Sequence, residues 1–442
     1  MSDRPTDRCR FSDRRSGFWR SFGAAFALLF GCLISGCSSR YDSSQVTINF
    51  WAIGREGEVL AQMLPGFERS HPGVHVEVQQ IPLLAAHEKL LTAFAGDALP
   101  DMAQLGNTWV PEFATLGALE PLQPYVDAST VVHPSDYFSG IWDTNLIDGR
   151  LYGVPWYIDT RLLFYRTDLL VAAGFDHPPR DWDEWRRQMA AIKARVGKEG
   201  YAIYMPLNEF EPLLGLALQQ PEALLRDDNT RGNFATSGFR RALSFYAEMF
   251  RKGWAPPITN TQMSNVWDEF GKGYFVFYIT GPWTIGEFDR RLPASLKGRW
   301  DTAPLPSHDG HGGGAAGGSS FVVFRSSAHK QVAWELAEYL STVAQQEKLY
   351  DLTGDLPARR SAWQDPAIVS NEHVRAFREQ LEHVKPTPKV PEWERIAWEM
   401  QYAAERVVLA HAPVDAMLEK LNQTTDDILA KRRSLVGTGA EK

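Results

Sequence analysis

Between residues 46 and 116 the sequence alternates extended and helical patterns three times, and that alternation leaves few architectures open. "VTINFWAI" from Val46 is an apolar-rich run that reads as a buried strand, and "GREGE" then opens a helical pattern through Phe67. In "HPGVHVEVQQI" a Pro-Gly turn precedes Val74, Val76 and Val78, which alternate as a strand. "AHEKLLTAFAG" is a helix stopped by Gly96, "PDMAQLG" predicts a third strand, and "NTWVPEFATLG" predicts a helix capped by Asn107. Strand–helix units in series predict an α/β fold with a parallel, doubly wound sheet, in which ligands sit off the carboxyl ends of the strands. The loops 54–58 and 106–109 are therefore the first places to look for a site.

A second set of elements begins near Leu162. It contains the helix "WDEWRRQMAAIKAR", the strand "YAIYMPL", the helix "GFRRALSFYAEMFRKG" and the strand "YFVFYIT" running into "GPW". The low-complexity stretch "HDGHGGGAAGGSS" precedes a strand, "FVVFRSS", and an amphipathic helix, "HKQVAWELAEYLS". Two more helices are predicted over 391–410 and 414–433, the first with Trp393 at its start. A chain of 442 residues is too long for one ordinary core, so two domains are expected. There is no internal repeat. Several of the 15 Trp adjoin Gly, Pro, Asn or Asp at the ends of strand-like runs, where rings line clefts rather than cores.

The amino-terminal segment is basic, with Arg4, Arg8, Arg10, Arg14, Arg15 and Arg20, and an uncharged apolar run follows at 22–34. That run is shorter than the roughly 20 residues needed to span a bilayer. The layout is that of a secretory signal. Ile34-Ser35-Gly36-Cys37 also resembles a bacterial lipobox, which implies cleavage before Cys37 and a lipid on its sulfur. Residues 1–36 would then be signal and 37–45 a tether. A plain secretory signal, a retained anchor and a twin-arginine signal at Arg14-Arg15 are the weaker alternatives. Export removes Cys9 and Cys32 and leaves Cys37 alone, so no intramolecular disulfide is expected. It also leaves 40 of the 46 Lys+Arg and 51 of the 54 Asp+Glu, a formal charge of −11. Such a chain lacks the basic face that nucleic acid or an anionic membrane surface requires.

Catalytic signatures are missing: there is no HExxH, paired CxxC or Walker loop. Residues 312–317 satisfy GxGxxG, yet they lead into a strand rather than a helix, so a dinucleotide is not expected. His308 and His311 flank Asp309 in what reads as a solvated turn, a metal site being the lesser alternative. No GxSxG elbow surrounds Ser319. A glycosidase needs two carboxylates across a cleft, and no acidic cluster stands out on adjacent strand ends. Neither catalysis nor a cofactor is expected.

Several stretches together resemble one family. "FWAIGREGE", "FERSHPGVHVEVQQIP", "LYGVPWYIDTRLLFYRTDLL", "ITGPW", "GGSSFVVFRSSAHKQVAWELAEYLS" and "PEWERIAWEM" are similar to extracellular solute-binding proteins of family 1, the sugar receptors of ABC importers. The resemblance runs in order along essentially the whole mature chain. It implies a two-lobed periplasmic-binding-protein fold, each lobe a doubly wound sheet flanked by helices, with the ligand cleft between lobes that close by hinge bending. The lobes would be 46–158 plus 321–354 and 159–320 plus 355–436. It further implies a monomeric lipoprotein in the periplasm or at the cell surface. This receptor would capture a mono- or oligosaccharide and deliver it to the transmembrane subunits of a permease.

A neutral sugar is held by rings stacked on its C–H faces and by charged groups hydrogen-bonding its hydroxyls. Relatives place an acid on the first loop, where Glu58 sits, with Glu56 as the neighbouring candidate; a first-turn Glu favoured by the helix dipole reads equally well. Asn107 is a cap or a ligand contact, and Trp109 adjoins it. The family sometimes carries aspartate just before Asn107, where this chain has Gly106. In "WYIDTR" the resemblance assigns Tyr157 and Asp159 to the sugar, with Trp156 and Arg161 as second choices. Trp283 after Gly281-Pro282 resembles the stacking tryptophan of the second lobe, and Tyr278 is either core or site. Gly317, Gly318 and Ser319 match a segment that brings backbone to the ligand, without the aromatic ring some relatives have there. One arginine of "LPARRSAW" should reach the ligand, Arg359 before Arg360. Trp393 closes the cleft or packs beside it. The competing readings are a non-sugar solute on the same fold (a glycerol phosphodiester or a polyamine) and, last, an extracytoplasmic glycan hydrolase.

Overall fold

A computed structural model describes residues 45–307 and 312–439. The expected signal 1–36, the expected lipidation site Cys37 and the rest of the expected tether through 44, and His308, Asp309 and His311, lie outside the described residues.

Ten strands position the site: β1 (Val46–Ile53), β2 (Val74–Ile81), β3 (Met102–Gly106), β4 (Val154–Asp159), β5 (Leu162–Arg166), β6 (Tyr201–Tyr204), β7 (Phe275–Thr280), β8 (Trp300–Ala303), β9 (Gly317–Val323) and β10 (Leu356–Pro357). Six of them form one sheet in the order β10-β4-β9-β3-β1-β2, and four form another in the order β8-β5-β7-β6. β1 pairs in parallel with β2, from Val46 opposite Val74 to Ile53 opposite Ile81, and in parallel with β3. This is the arrangement the strand–helix alternation predicts. β9 runs antiparallel to both β3 and β4, so the sheet is mixed rather than wholly parallel. The reason lies in the connection: β9 enters on the return from the other sheet, at the edge where β3 and β4 end, and must run back along them. In the second sheet β7 is parallel to β6 and antiparallel to β5.

The strands of the larger sheet are covered on both faces. Ile48, Phe50, Met102, Trp156 and Phe321 join one core, whereas Ala103, Leu105, Val322 and Phe324 join Phe113 on the other side. Each fully buried ring of this size stabilises by roughly 1.5–3 kcal/mol. The second core gathers Trp182, Trp185, Phe245 and Phe277 with one face of the helix Trp393–Leu409, through Trp393, Ile396, Ala397, Met400 and Ala404. That spacing of three and four residues is the helical period of a half-buried helix. The helix Trp182–Val196 starts where the Asp181 carboxylate accepts from Glu184 N at 2.7 Å.

β4 ends at Asp159 in the first sheet and β5 begins at Leu162 in the second, so Thr160 and Arg161 alone join the two. The chain returns at Gly317, opposite Asp159, and the same sheet then takes up β10, with Leu356 opposite Ile158. Among the described residues no helix is long and apolar enough to cross a membrane.

Candidate functional site

Polar side chains gather where β1, β3 and β4 end and β9 and β10 begin. Gln104 sits in the middle of β3, buried from Met102 to Leu105, and is the pivot. Its Oε1 accepts from Ile53 N at 2.7 Å, and its Nε2 donates to Tyr157 OH and to Ser319 Oγ, each at 3.2 Å. Ser319 in turn donates to Tyr157 OH at 3.0 Å. Tyr157 thus accepts twice and keeps its own proton for a further acceptor. Burial, with the charges of Glu56 and Asp355 nearby, pushes its hydroxyl pKa well up. Gly318 is required here: its φ is +119°, and a Cβ would stand 2.2 Å from Tyr157 O.

Two acids face this network. Glu56 lies in the first turn of the helix Gly54–Met63, and Asp355 follows the helix Val343–Thr353. Arg55 Nη2 donates to Leu352 O at 2.8 Å and so ties the two segments together. The carboxyls lie within hydrogen-bond reach of each other, and burial followed by the charge of Asp355 pushes Glu56 up to about 8. Asp355 Oδ2 is buried and has no hydrogen-bond partner. Of the two acids left open by the sequence, Glu58 is the exposed one and accepts from Gln80 Nε2 at 3.1 Å.

The second sheet supplies the other wall. Leu162 is opposite Thr280, which sets Arg161 beside the Gly281-Pro282-Trp283 turn. The guanidinium lies 4.4 Å over the Trp283 ring, 3.3 Å from Glu211 Oε1 and 3.6 Å from Asp159 Oδ2. Gly281 makes room for that ring, since a Cβ there would stand 2.1 Å from it. Asp159 Oδ1 and Arg161 Nη1 are buried without a hydrogen-bond partner. Burial raises the pKa of Asp159, with Arg161 opposing and Glu211 and Asp355 adding to the rise. Burial likewise raises Glu209, which accepts from Asn260 Nδ2 at 3.2 Å, and pushes Tyr278 up to about 12.

The other sequence-predicted residues are distributed more widely. Asn107 is buried, with Oδ1 accepting from Ser320 Oγ at 3.2 Å and Nδ2 unpartnered. Trp109 packs near His87, which pairs with Glu112 at 2.6 Å. Gly317 pairs with Asp159. Trp156 is wholly buried against Phe321, and Trp393 is wholly buried in the second core. Arg359 Nε donates to Asp136 at 2.7 Å and its Nη1 to Ser341 O at 2.8 Å, while Arg360 pairs with Glu382 and covers Phe138. No contact brings either arginine to the cluster around Asp159. Sequence reasoning passed over Gln104, Glu209, Glu211 and Asp355. Gln104 carried a readable signal, a lone amide inside an otherwise apolar strand, which demands buried partners. Glu394, next to Trp393, was also missed; its carboxyl hydrogen-bonds Thr108 on the loop after β3.

The arrangement offers hydrogen-bonding groups, a partly exposed ring and a fixed cation, which is equipment for binding. Among the described residues no group of three or more His, Cys, Asp or Glu is placed to hold a metal ion.

Known proteins share this architecture. The sugar-binding protein MalE from the phytopathogen Xanthomonas citri superposes with a TM-score of 0.87 at 56% identity, covering 89% of this chain and 99% of its own. A binding protein of Brucella abortus (strain 2308) is 26% identical over 415 residues, 91% of this chain and 98% of its own. The galactooligosaccharide-binding protein of Bacillus subtilis (strain 168) is 23% identical over 404 residues, 90% of this chain and 93% of its own. The two-lobed α/β fold implied by the resemblance is thereby borne out. The family model of bacterial extracellular solute-binding proteins matches residues 51–347. The chain belongs to the bacterial extracellular solute-binding proteins.

Proposed function

We propose that this chain is the sugar-binding receptor of an ABC importer, holding a mono- or oligosaccharide between two lobes and handing it to a membrane permease. One observation carries the reading. Asp159 Oδ1, Arg161 Nη1 and Asp355 Oδ2 are buried without hydrogen-bond partners in one cluster beside the partly exposed ring of Trp283. Buried polar atoms are ordinarily paired, and sugar hydroxyls would pair them while the C–H face lies on the ring. The similarity to a sugar-binding protein at 56% identity supports the same class of ligand. Tyr157, Asp159 and Trp283 are the contacts, with Glu56 rather than Glu58 from the first loop and Arg161 and Asp355 added. Ser319 and Gly318 shape the floor, and Asn107 and Trp109 stand at its margin. Arg359 and Trp393 act as parts of the cores.

The lobes in this reading are built on the two sheets, with β9 and β10 in the first, and closure by bending where the chain crosses between them traps the ligand. The chain is exported, anchored by lipid on Cys37, works as a monomer and acts by binding rather than catalysis. Asp159, Glu209 and Glu211 face the Arg161 guanidinium, and Glu56 and Asp355 add two more acids with Arg55 near Asp355, so a phosphodiester is disfavoured and a cationic solute such as a polyamine is the remaining alternative.

The test is a thermal-shift screen of mono- and disaccharides on the chain from Ser38. A bound sugar stabilises by RT ln(1 + [L]/Kd), about 2.7 kcal/mol at a hundred times Kd. A broad sugar panel without a shift, together with a shift by a polyamine, overturns the sugar reading.

A further inference from the structure

Past the end of β8 a side chain stands in for backbone. β5 and β8 are antiparallel, with Leu163 opposite Ala303. Two steps further along, the same register sets Arg161 opposite Leu305, and there the amide of Gln380 stands between the two. Its Oε1 accepts from Leu305 N at 2.7 Å, and its Nε2 donates to Arg161 O at 2.5 Å and to Thr160 Oγ1 at 2.9 Å. These partners fix the orientation of the amide, because an N–H can only donate and a carbonyl can only accept. The β5–β8 ladder thus continues into the crossover by way of an inserted amide, which has the hydrogen-bonding chemistry of a peptide group.

Gln380 is fully buried on the helix Arg375–Leu381. One turn earlier, Phe377 packs edge-on against Phe164 of β5, with ring centroids 6.1 Å apart, and so ties this helix to the second sheet. The returning chain passes over the same amide: a Cβ on Gly314 would stand 3.4 Å from Gln380 Nε2 and from Thr160 Oγ1. On the other side of the crossover, Asp159 is paired with Gly317 in the first sheet.

We propose that Gln380 is the positioning residue for Arg161: its amide fastens Thr160 and Arg161 to the second sheet, so that the guanidinium is held over Trp283 before any ligand arrives. Arg161 then travels with the second sheet, Asp159 travels with the first, and the bending of this crossing falls between Asp159 and Thr160. Gln380 touches no ligand and acts through Arg161 alone. Without the amide, the Leu305 N–H is left buried and unpaired and the Arg161 carbonyl is free to turn, which carries the guanidinium off the ring. A site whose cation is already in place spends less of its binding free energy on ordering it. The inference rests on the sugar reading for its ligand, although the placement of Arg161 by Gln380 does not.

Two measurements on the full mature chain test this. The first needs no ligand: fluorine NMR of protein labelled with 5-fluorotryptophan, the Trp283 line being the one missing from Trp283→Phe. Arg161→Met shows where that line falls without the guanidinium over the ring. Gln380→Met should move the line more than halfway to that position, whereas Arg359→Met, which loses stability away from the crossover, should leave it in place. Melting curves confirm folding. If Gln380→Met does not fold, Gln380→Asn, one methylene too short to span Leu305 N and Arg161 O, should move the line in the same direction. The second measurement is calorimetric titration with maltose, sucrose and trehalose as probes. For a probe that binds, Gln380→Met should weaken affinity about tenfold. Added to Arg161→Met, the same substitution should weaken it by less than about twofold further, because the two residues act as one unit. A Trp283 line that stays in place in the folded variant, wild-type affinity in Gln380→Met, or losses that multiply in the double variant overturn the proposal. Failure of all three sugars counts against the sugar reading, and the fluorine line still decides the placement of Arg161.

Discussion

The Arg161 guanidinium lies 4.4 Å over the Trp283 ring, and the ring remains 38% exposed. A cation fixed on the ring holds it in place while leaving apolar surface for a ligand. Trp283→Ala should weaken saccharide binding 10- to 100-fold, roughly 1.4–2.8 kcal/mol, with a small change in melting temperature because the ring is not core. Trp283→Phe should recover most of the affinity. Isothermal titration calorimetry of both variants checks this.

Gly281 offers an independent route to the same ring. A methyl group at that position would stand 2.1 Å from the indole, so the ring must swing away. Gly281→Ala should lose affinity nearly as far as Trp283→Ala while its circular dichroism stays unchanged. Full retention of binding would show that the ring position is immaterial.

Gln104 should matter to stability more than its single amide suggests. Gln104→Leu leaves Ile53 N without its acceptor and removes both bonds to Tyr157 and Ser319. An unsatisfied buried donor costs about 1–3 kcal/mol. The urea midpoint should drop accordingly, and ligand affinity should fall because Tyr157 is freed.

Arg359 should affect acid stability and leave binding alone. Its partner Asp136 is partly buried, which opposes ionisation, but bonds from Ser361 and Arg359 prevail and lower its pKa below the usual 3.8. A carboxylate depressed on folding adds stability above its unfolded pKa and loses it as pH falls through the folded value. The wild type should therefore lose this contribution below about pH 4, and Asp136→Asn should flatten that part of the profile. Arg359→Met should cost roughly 2–3 kcal/mol at pH 7, with Kd for sugar unchanged within about twofold. A large affinity loss at preserved stability would instead place Arg359 against the ligand.

Much of this fold was legible because its signals are local. Apolar runs closed by Gly or Pro marked β1, β2, β3 and β7, and the three-four spacing from Trp393 to Ala404 marked a half-buried helix. The antiparallel entry of β9 was not legible, since strand direction depends on where the returning chain enters rather than on the strand's residues. The same divide runs through the site. Tyr157, Asp159 and Trp283 stand at strand ends, and strand ends can be read. Glu56 and Glu58 differ by two positions on one helix, about 200° of rotation, and only packing tells which faces Asp355. Arg359 finds Asp136 across 223 residues, and no spacing rule reaches that far. The resemblance placed an arginine in "LPARRSAW" against a ligand, whereas here the preceding β10 pairs with β4 and Arg359 braces the sheet's flank.

Asp159 closes one sheet, Arg161 adjoins the first strand of the other, and a single residue separates them. Whatever rotates the sheets relative to each other also changes the gap between this carboxylate and this guanidinium, which both face the same cluster. Tightness of grip and stiffness of motion are consequently written into one tripeptide and cannot be tuned separately there. An engineer converting this receptor into an optical sensor should leave Asp159-Thr160-Arg161 intact and adjust response range elsewhere, for example at Glu394, whose carboxyl hydrogen-bonds Thr108.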